Sequence, residues 1–312
     1  MGLLFRKINY NKPRYKRQNH KIPYVWSKNL NRIFTTTELK RKVIYIFLFS
    51  TASFVISWLL IYILYQGATI FTARLFHIPV VWYYYRVKFP LLFYSSLYSR
   101  SHLIFIFSSG PLISLFLAFI FKLLFYSRDS SSKNFKLFYL WGMINGLNMF
   151  FGSYIVGVIT RTEFIYTSEW ILMNNPFDIR EMIIMIIFII IMLVIGFQIT
   201  SMFLVSSGSM ILVTSENRPV LILFQIILPW IAGVMIFFLV MIPKYYLPFH
   251  LKTITPLLFL IPSLFTYNSS RNEIAVALGR IHRTRFRWWI IIGVAVILVL
   301  YRVALNFGIR WY

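Results

Sequence analysis

The 24 residues MIIMIIFIIIMLVIGFQITSMFLV (182–205) decide the fold class, because they contain no charged residue and only three polar ones, all in the second half. About 20 consecutive apolar residues are enough for an α-helix to cross the hydrocarbon core of a bilayer. Six further apolar runs lie at about 43–65, 103–125, 137–160, 220–242, 253–267 and 288–306. The sequence therefore predicts an all-α, polytopic bundle of about seven transmembrane helices, within a range of six to eight.

The sixth run (253–267) is shorter than the others and contains Pro256 and Pro262. Proline inside a helix removes a backbone hydrogen bond and clashes with the preceding turn. A membrane tolerates such a break only where protein or water satisfies the freed backbone groups. We therefore expect a broken or re-entrant helix here.

The composition of the whole chain agrees with a membrane protein. Its 312 residues are 59% hydrophobic and 20% aromatic, and the mean hydropathy is +0.72. A single water-soluble core would not bury that much apolar surface. The chain has no cysteine, which excludes disulfides, cysteine metal ligands and cysteine nucleophiles.

The basic residues predict the orientation. The formal net charge is +24, and twelve Lys or Arg precede residue 43. Because loops rich in Lys and Arg stay in the cytoplasm, we predict a cytoplasmic N-terminal segment (1–42) followed by a transmembrane domain (43–312). Seven spans that start inside place 21 Lys or Arg in cytoplasmic segments and nine on the opposite side. We expect an integral protein of a bacterial inner membrane that keeps its first span, since a cleavable signal peptide has a shorter charged region.

The connection 78–100 is the least helix-like part of the chain. It contains VVWYYYRVKF (80–89), where β-branched and aromatic residues precede an alternation of basic and apolar side chains. Such a pattern is typical of a short strand pair, and equally of an aromatic segment at the membrane interface. Both interpretations remain open at this point.

The third span carries polar residues inside the membrane. In WGMINGLNMFFGSYIVGVIT (141–160), Trp141, Asn145, Asn148 and Gly152 recur at i, i+4, i+7 and i+11, which places them on one helix face. Asparagine in hydrocarbon needs a partner, and glycine lets a neighbouring helix approach closely. The face predicts either helix packing or a polar cavity, with Gln198 on the fourth span as the expected partner.

Two short segments resemble a known family. In YQGATIFTARLFHIPV (65–80), Ala73 and Arg74 are followed by a His-Ile-Pro step, and SGPLISLFLAFIF (109–121) opens the next apolar run with Gly-Pro. Together these segments are similar to site-2 proteases, the intramembrane zinc metalloproteases, over about residues 65–125. In that family, a His-Glu-x-x-His motif binds zinc and activates water.

The residues that would perform this chemistry are missing. Tyr65 and Thr69 stand where the resemblance places the two histidines, and Gln66 stands where it places the glutamate. The family's later Leu-Asp-Gly motif is also missing, and no two histidines have helical ligand spacing. The resemblance therefore implies a pseudoprotease with no metal or other cofactor. The alternative is an ordinary span end followed by an interfacial segment.

The remaining basic residues predict lipid contact. The run GRIHRTRFRWW (279–289) places arginines beside two tryptophans at the start of the last span, as is typical of a membrane interface. Lys122 and Arg302 lie near span ends, from which long side chains reach the headgroups. Arg161 and Glu163 are expected to pair in an outer loop. We expect the lipid headgroup contacts to be Arg280, Arg283, Arg285 and Arg287.

These patterns support three functional hypotheses. The first is a non-catalytic membrane subunit or scaffold that binds partner helices, because the sequence carries no recognisable catalytic constellation. The second is an uncoupled or lipid-handling transporter, suggested by Asn145, Asn148 and the broken sixth span. The third is a membrane-embedded hydrolase. Anionic lipids and other membrane proteins are the expected partners, and nucleic acid is not, because basic loops beside apolar runs are explained by membrane orientation.

Overall fold

The protein is a helical membrane bundle, as predicted. Its structure, a computed structural model, describes residues 37–90, 99–127, 133–172, 179–206, 217–266 and 289–311. Within these ranges, six helices are long and apolar enough to cross a membrane. The seventh predicted span corresponds to a shorter apolar helix, Ile291–Leu305. Most of the basic N-terminal segment and the predicted lipid contacts Arg280, Arg283, Arg285 and Arg287 lie outside the described residues.

Helices make up most of the described chain, and two of the spans contain a turn of π-helix. The helices are α1 (Thr37–Leu75), α2 (Arg100–Ser127), α3 (Lys133–Leu147), α4 (Ser153–Thr160), α5 (Ile165–Leu172), α6 (Ile179–Ser206), α7 (Arg218–Ile222), α8 (Leu228–Met241), α9 (Leu247–Ile254), α10 (Leu257–Thr266) and α11 (Trp289–Leu305). The π turn Asn148–Gly152 joins α3 to α4, and the π turn Leu223–Ile227 joins α7 to α8. The strands are β1 (Val80–Trp82), β2 (Val87–Lys88) and β3 (Ile309–Trp311).

Helix α1 is the centre of the bundle. Its 39 residues extend about 58 Å at 1.5 Å per residue, which is longer than a hydrocarbon core of about 30 Å. Phe54, Trp58 and Tyr62 are at most 1% exposed, and their rings pack against Phe237 and Phe249 of α8 and α9. The segment 65–75 continues this helix without a break, so the residues of the family resemblance belong to the first span.

A small antiparallel sheet lies beyond the end of α1. Strands β1 and β2 form a hairpin within the segment where a strand pair was one of two alternatives. Strand β3, from the end of the chain, pairs with the other edge of β1, so the order is β2-β1-β3. No pattern in the sequence predicted this third strand. Val80 packs against a buried apolar cluster that includes Ile70, Ile78 and Ile106.

The sixth span is broken at Pro256. Helix α9 ends at Ile254, and α10 begins at Leu257. The apolar helical stretch starts at Leu247, six residues before the predicted start, because Pro248 is well suited to the first turn of a helix. As a result Lys252, expected in an outer loop, belongs to the sixth span.

Candidate functional site

A buried ion pair joins three parts of the bundle. Lys252 of α9 is bonded through Nζ to Oε2 of Glu163, which lies in the turn between α4 and α5. The Lys252 side chain is 2% exposed, and that of Glu163 is 20% exposed. The Tyr65 hydroxyl of α1 donates to the same carboxylate oxygen over 3.2 Å. We call Tyr65, Glu163 and Lys252 the ion-pair site.

The ammonium of Lys252 also contacts an aromatic face. Its Nζ lies 4.6 Å from the centre of the Tyr65 ring. A cation in this position is attracted by the ring quadrupole, and the attraction is larger where water is excluded. Tyr65 therefore binds both partners, the cation through its ring and the anion through its hydroxyl.

The turn that presents Glu163 has an unusual backbone. Arg161 and Glu163 both have left-handed φ angles, 53° and 57°. Such angles cost on the order of 1 kcal/mol or more for residues other than glycine, so the surroundings must stabilise them. The Arg161 guanidinium donates to Glu169 over 3.1 Å and to Glu181 over 2.6 Å, which ties the turn to α5 and α6. Glu163 is thereby directed toward Lys252.

This arrangement corrects the expected pair of Arg161 with Glu163. Each residue instead bonds a partner from a different element, because the left-handed turn separates their side chains. Glu181 is fully buried in the first turn of α6, where its bond to Arg161 offsets part of the cost of burying its charge. The order of residues in the loop gave no indication of these partners.

The other end of Lys252 is fixed through its backbone. The carbonyl oxygen of Lys252 accepts from Asn148 Nδ2 at 2.8 Å and from Thr255 Oγ1 at 3.2 Å. Gly152 permits this approach, because an added Cβ would lie 2.7 Å from Thr255 Oγ1 and closer still to Asn148 Oδ1. The π turn and the broken sixth span therefore both fix the backbone position of Lys252.

Helix α2 closes the site from the side. A Cβ added at Gly110 would lie 2.8 Å from Thr69 Oγ1 and 2.9 Å from the Tyr65 carbonyl oxygen. The Thr69 hydroxyl donates to that carbonyl over 3.1 Å, so its hydrogen bond stays within α1. The two segments that carry the family resemblance thus contact each other, through Tyr65 and Thr69 on α1 and Gly110 on α2.

These residues do not fit a zinc ion. The Tyr65 and Thr69 hydroxyls are engaged in the bonds described above, and Gln66, which is 3% exposed, offers an amide where zinc prefers imidazole or carboxylate. A dication at Tyr65 would also meet the positive charge of Lys252. Within the part of the chain that the structure describes, no three His, Asp or Glu side chains lie close enough to share a metal.

The other two residues of the resemblance lie farther along α1. Ala73 is fully buried in the apolar cluster beneath the sheet. Arg74 is exposed, and its guanidinium carbon lies 6.0 Å from the centre of the Trp311 ring. Neither residue reaches the ion-pair site, so their place in the fold is explained by packing at the sheet.

Tyr246 lies near Glu163, and Tyr85 and Arg86 extend the border that Tyr246 forms there. Burial raises the pKa of Tyr246 well above its ordinary value, and the negative charge of Glu163 adds to this effect. The phenol therefore stays neutral at physiological pH. The Arg86 guanidinium carbon lies 5.8 Å from the Tyr246 ring and 5.4 Å from that of Tyr85. This border comes from the hairpin turn and the start of α9.

The predicted polar face of the third span is fully buried, but it contacts two neighbours. Trp141 Nε1 donates to Ser50 Oγ over 2.8 Å, and Asn145 Nδ2 donates to Ser57 Oγ over 2.9 Å, both on α1. Asn148 instead bonds α9, because the π turn shifts its direction. The Oδ1 atoms of Asn145 and Asn148 have no hydrogen-bond partner among the described residues. The donor groups of this face form hydrogen bonds between helices, which agrees with the packing interpretation. The two Oδ1 atoms without a partner among the described residues agree with the polar-cavity interpretation.

The expected partner, Gln198, is not in this network. Its position on α6 is exposed on the outside of the bundle, whereas the asparagines face inward. The buried amide that sequence reasoning missed is Gln225, which is 1% exposed in the second π turn. Its Nε2 donates over 3.0 Å to both the Phe203 carbonyl and Ser206 Oγ. The sequence feature that could have indicated Gln225 is its position as a single amide inside an otherwise apolar run.

Arg302 was also expected to reach the headgroups. Its guanidinium instead donates to the Val240 carbonyl over 2.8 Å and to the Ile242 carbonyl, at the end of α8. Carbonyls at a helix C-terminus lack intrahelical partners and attract cations. The arginine therefore fastens the short helix α11 to α8.

The comparison with known proteins adds no family. No protein-family model, no curated protein and no solved structure matches the chain. The resemblance to site-2 proteases stays a prediction, and the function is argued from the geometry of the ion-pair site.

Proposed function

We propose that the chain is a non-catalytic integral membrane subunit or scaffold, a pseudoprotease that binds partner helices within a membrane complex. The observation that carries this proposal is the position of the Lys252 ammonium. It is held between Glu163 and Tyr65, and Tyr65 is the residue that the resemblance aligns with a zinc ligand. A cation of the protein itself thus lies against the residue that the resemblance aligns with a zinc ligand.

The electrostatics of the site favour a structural role. The carboxylate, the ammonium and the phenol hydroxyl each have a partner within the site, as in an ion pair that joins helices. Removing one member of a buried ion pair leaves an uncompensated charge and typically costs about 3–5 kcal/mol. The same groups hold α1, α9 and the α4–α5 turn together, as a scaffold requires.

The lateral surface offers places for partner helices. Helix α6 is the most hydrophobic of the spans, and little of it is buried within the bundle. An outward apolar face of a membrane helix meets either lipid or another helix. In the proposed complex, part of this surface contacts another helix. The outward apolar side chains of α6 include Ile179, Met182, Ile183, Ile186, Ile187, Ile190, Val194 and Phe197.

The first experiment measures metal content. Purified protein, incubated with excess zinc and then washed, is expected to retain far less than one zinc per chain by mass spectrometry of the elements. The Lys252→Met variant serves as a second sample, because it removes the competing charge and leaves the aligned residues intact. Stoichiometric zinc in the wild-type protein would overturn the proposal and support the hydrolase hypothesis.

The second experiment looks for partners. A tagged chain is extracted from its native membranes in mild detergent, after chemical cross-linking in the membrane. We expect specific membrane proteins to be cross-linked to α6 and to be lost when Ile186→Lys and Ile190→Lys are introduced together. The matched control is Lys122→Gln, a change at an exposed position of α2. A monodisperse monomer with no cross-linked partner would contradict the scaffold.

A transporter is the second candidate, supported by the buried charge. Ionisable groups inside a membrane protein commonly mark a transport pathway. Lys252 is 2% exposed, and the Oδ1 atoms of Asn145 and Asn148, which have no partner in the described ranges, lie in the same bundle interior. If the chain carries lipid or solute, liposomes with the wild type will show flux that disappears in Asn145→Leu/Asn148→Leu. Equal flux in empty liposomes would leave the scaffold as the better proposal.

The loop charges also support an inner-membrane location with a cytoplasmic N-terminus. Reporter fusions at the N-terminus and in the α4–α5 turn are expected to report opposite sides of the membrane. The turn, with Arg161 and Glu163, would lie outside. A cytoplasmic turn would show that the orientation is inverted.

A further inference from the structure

The three-stranded sheet has one apolar face and one basic face. Val81 of β1 pairs directly with Lys88 of β2 and with Arg310 of β3. Directly opposite residues of neighbouring strands share one face of a sheet. Lys88, Val81 and Arg310 therefore form a row, with the two cations about 10 Å apart across two strand spacings.

The opposite face of the sheet is already occupied. Val80 is 1% exposed and packs with the cluster beneath the sheet, where Trp82 and Trp311 also contact it. Lys88 and Arg310, in contrast, are exposed. The acidic partners in the ion pairs of the described residues are Glu163, Glu169 and Glu181, none of which bonds Lys88 or Arg310. Within the described ranges, the basic row therefore faces outward and no carboxylate is paired with it.

The sheet lies directly beyond the ends of two apolar helices, a position that suits the boundary of a membrane. Strand β1 follows the end of α1 after four residues, and β3 follows the end of α11 after three. Phe307, in the second of these connections, is 90% exposed, more than any other large apolar side chain in the described residues. An aromatic ring so placed is unfavourable in water but is favoured in the interfacial region of a bilayer.

We propose that the basic row of the sheet binds the phosphate of an anionic phospholipid, while Phe307 lies among the lipid chains below the headgroups. Each basic side chain near an anionic membrane surface strengthens binding roughly fivefold. Arg310 presents the planar donors that suit a phosphate, and Lys88 adds a second charge.

Photoactivatable lipids test this proposal directly. The full chain is reconstituted into phosphatidylcholine nanodiscs that contain a small fraction of photoactivatable phosphatidylglycerol, or of the matching phosphatidylcholine probe. Labelled peptides are located by mass spectrometry. We expect the phosphatidylglycerol probe to label residues 80–90 and 306–311 more strongly than the phosphatidylcholine probe does. Equal labelling by both probes would overturn the proposal.

Charge variants identify the residues responsible. Removal of one cation is expected to lower labelling of the sheet by roughly fivefold, and Lys88→Gln/Arg310→Gln by the product of the two effects, since about 1 kcal/mol is lost per charge. The matched control, Lys40→Gln/Lys42→Gln, removes the same charge from exposed positions at the other end of α1. If the control lowers labelling of the sheet equally, the effect reflects net charge alone and the proposed site is wrong.

Two more variants separate binding from folding. Lys88→Arg/Arg310→Lys keeps both charges and is expected to keep the labelling. Loss of labelling in this variant, with the unfolding midpoint unchanged, would overturn the proposal that the two charges bind the lipid. Phe307→Ser leaves the charges and is expected to weaken labelling by both probes, because the loop then lies farther from the lipid chains. Unchanged labelling in Phe307→Ser would remove the insertion part of the proposal.

Discussion

Two sets of buried polar groups lie along α1, and they differ in charge. Near the middle of the helix, Ser50 and Ser57 accept bonds from Trp141 and Asn145, all of them neutral. Near its end, Tyr65 contacts the ion pair described above. A neutral hydrogen bond between membrane helices contributes on average about 0.6 kcal/mol, whereas a broken buried ion pair costs several times more. The same helix thus carries neutral contacts that contribute little to stability. It also contacts an ion pair in which the removal of one partner lowers stability strongly.

The largest predicted effect follows from removing one charge of the ion-pair site. Lys252→Met leaves the Glu163 carboxylate without its cation, beside the Tyr65 ring. We expect the free energy of unfolding to fall by about 3–5 kcal/mol. Denaturation in mild detergent, followed by circular dichroism, measures the change.

Two further variants show whether this loss comes from the unpaired charge. In Lys252→Met/Glu163→Gln both charges are removed, so much of the stability should return. Lys244→Met changes an exposed lysine eight residues earlier and should have little effect. A double variant as unstable as the single one would mean that the packing of the lysine chain, rather than its charge, stabilises the site.

The second prediction concerns the close contact of α1 with α2. Gly110→Val places atoms where Thr69 Oγ1 and the Tyr65 carbonyl lie within 3 Å of an added Cβ. Overpacking of this kind costs about 1–3 kcal/mol. Gly67→Ala is the matched control, because nothing lies within 4 Å of its added Cβ and alanine favours helix. Equal thermal stability of Gly110→Val and wild type would show that the helices separate easily.

The third prediction tests the neutral region. Asn145→Leu removes the donor to Ser57 and is expected to cost about 1 kcal/mol or less, because leucine fits an apolar interior. Gln198→Leu, on the exposed face of α6, should leave the unfolding midpoint unchanged. A loss for Asn145→Leu as large as that for Lys252→Met would remove the distinction between the two regions.

The two regions also differ in how well the sequence predicts them. The spans and the face with Trp141 and Asn145 follow from hydrophobic runs and helical periodicity, which are local properties. The ion pair joins residues 89 positions apart, and its geometry depends on left-handed backbone at Glu163 and on the break before Leu257. Pro248 was the one local signal that Lys252 belongs to a helix. The third strand was equally hidden, since residues 309–311 pair with a strand more than 200 positions away.

The smallest predicted effect lies in the second charged cluster, where Arg161 bonds two carboxylates. Burial raises the pKa of Glu169, and repulsion from Glu181 adds to this, while Arg161 opposes it. A raised carboxyl pKa means that the folded state binds the proton more tightly than the unfolded chain does. Its contribution to stability is therefore present at low pH and is lost as the pH rises through the folded-state pKa.

Glu169→Gln keeps an oxygen that can accept from Arg161 but removes the charge. We expect it to be as stable as wild type or more stable at pH 7, by about 0.5 kcal/mol at most for this partly exposed residue. The advantage should shrink as the pH is lowered to 4, where Glu169 of the wild type is itself protonated. Unfolding midpoints of both proteins between pH 4 and 8 measure this difference. A variant less stable at pH 7 than at pH 4, relative to wild type, would show that the bond of the charged carboxylate to Arg161 outweighs its burial and its repulsion from Glu181.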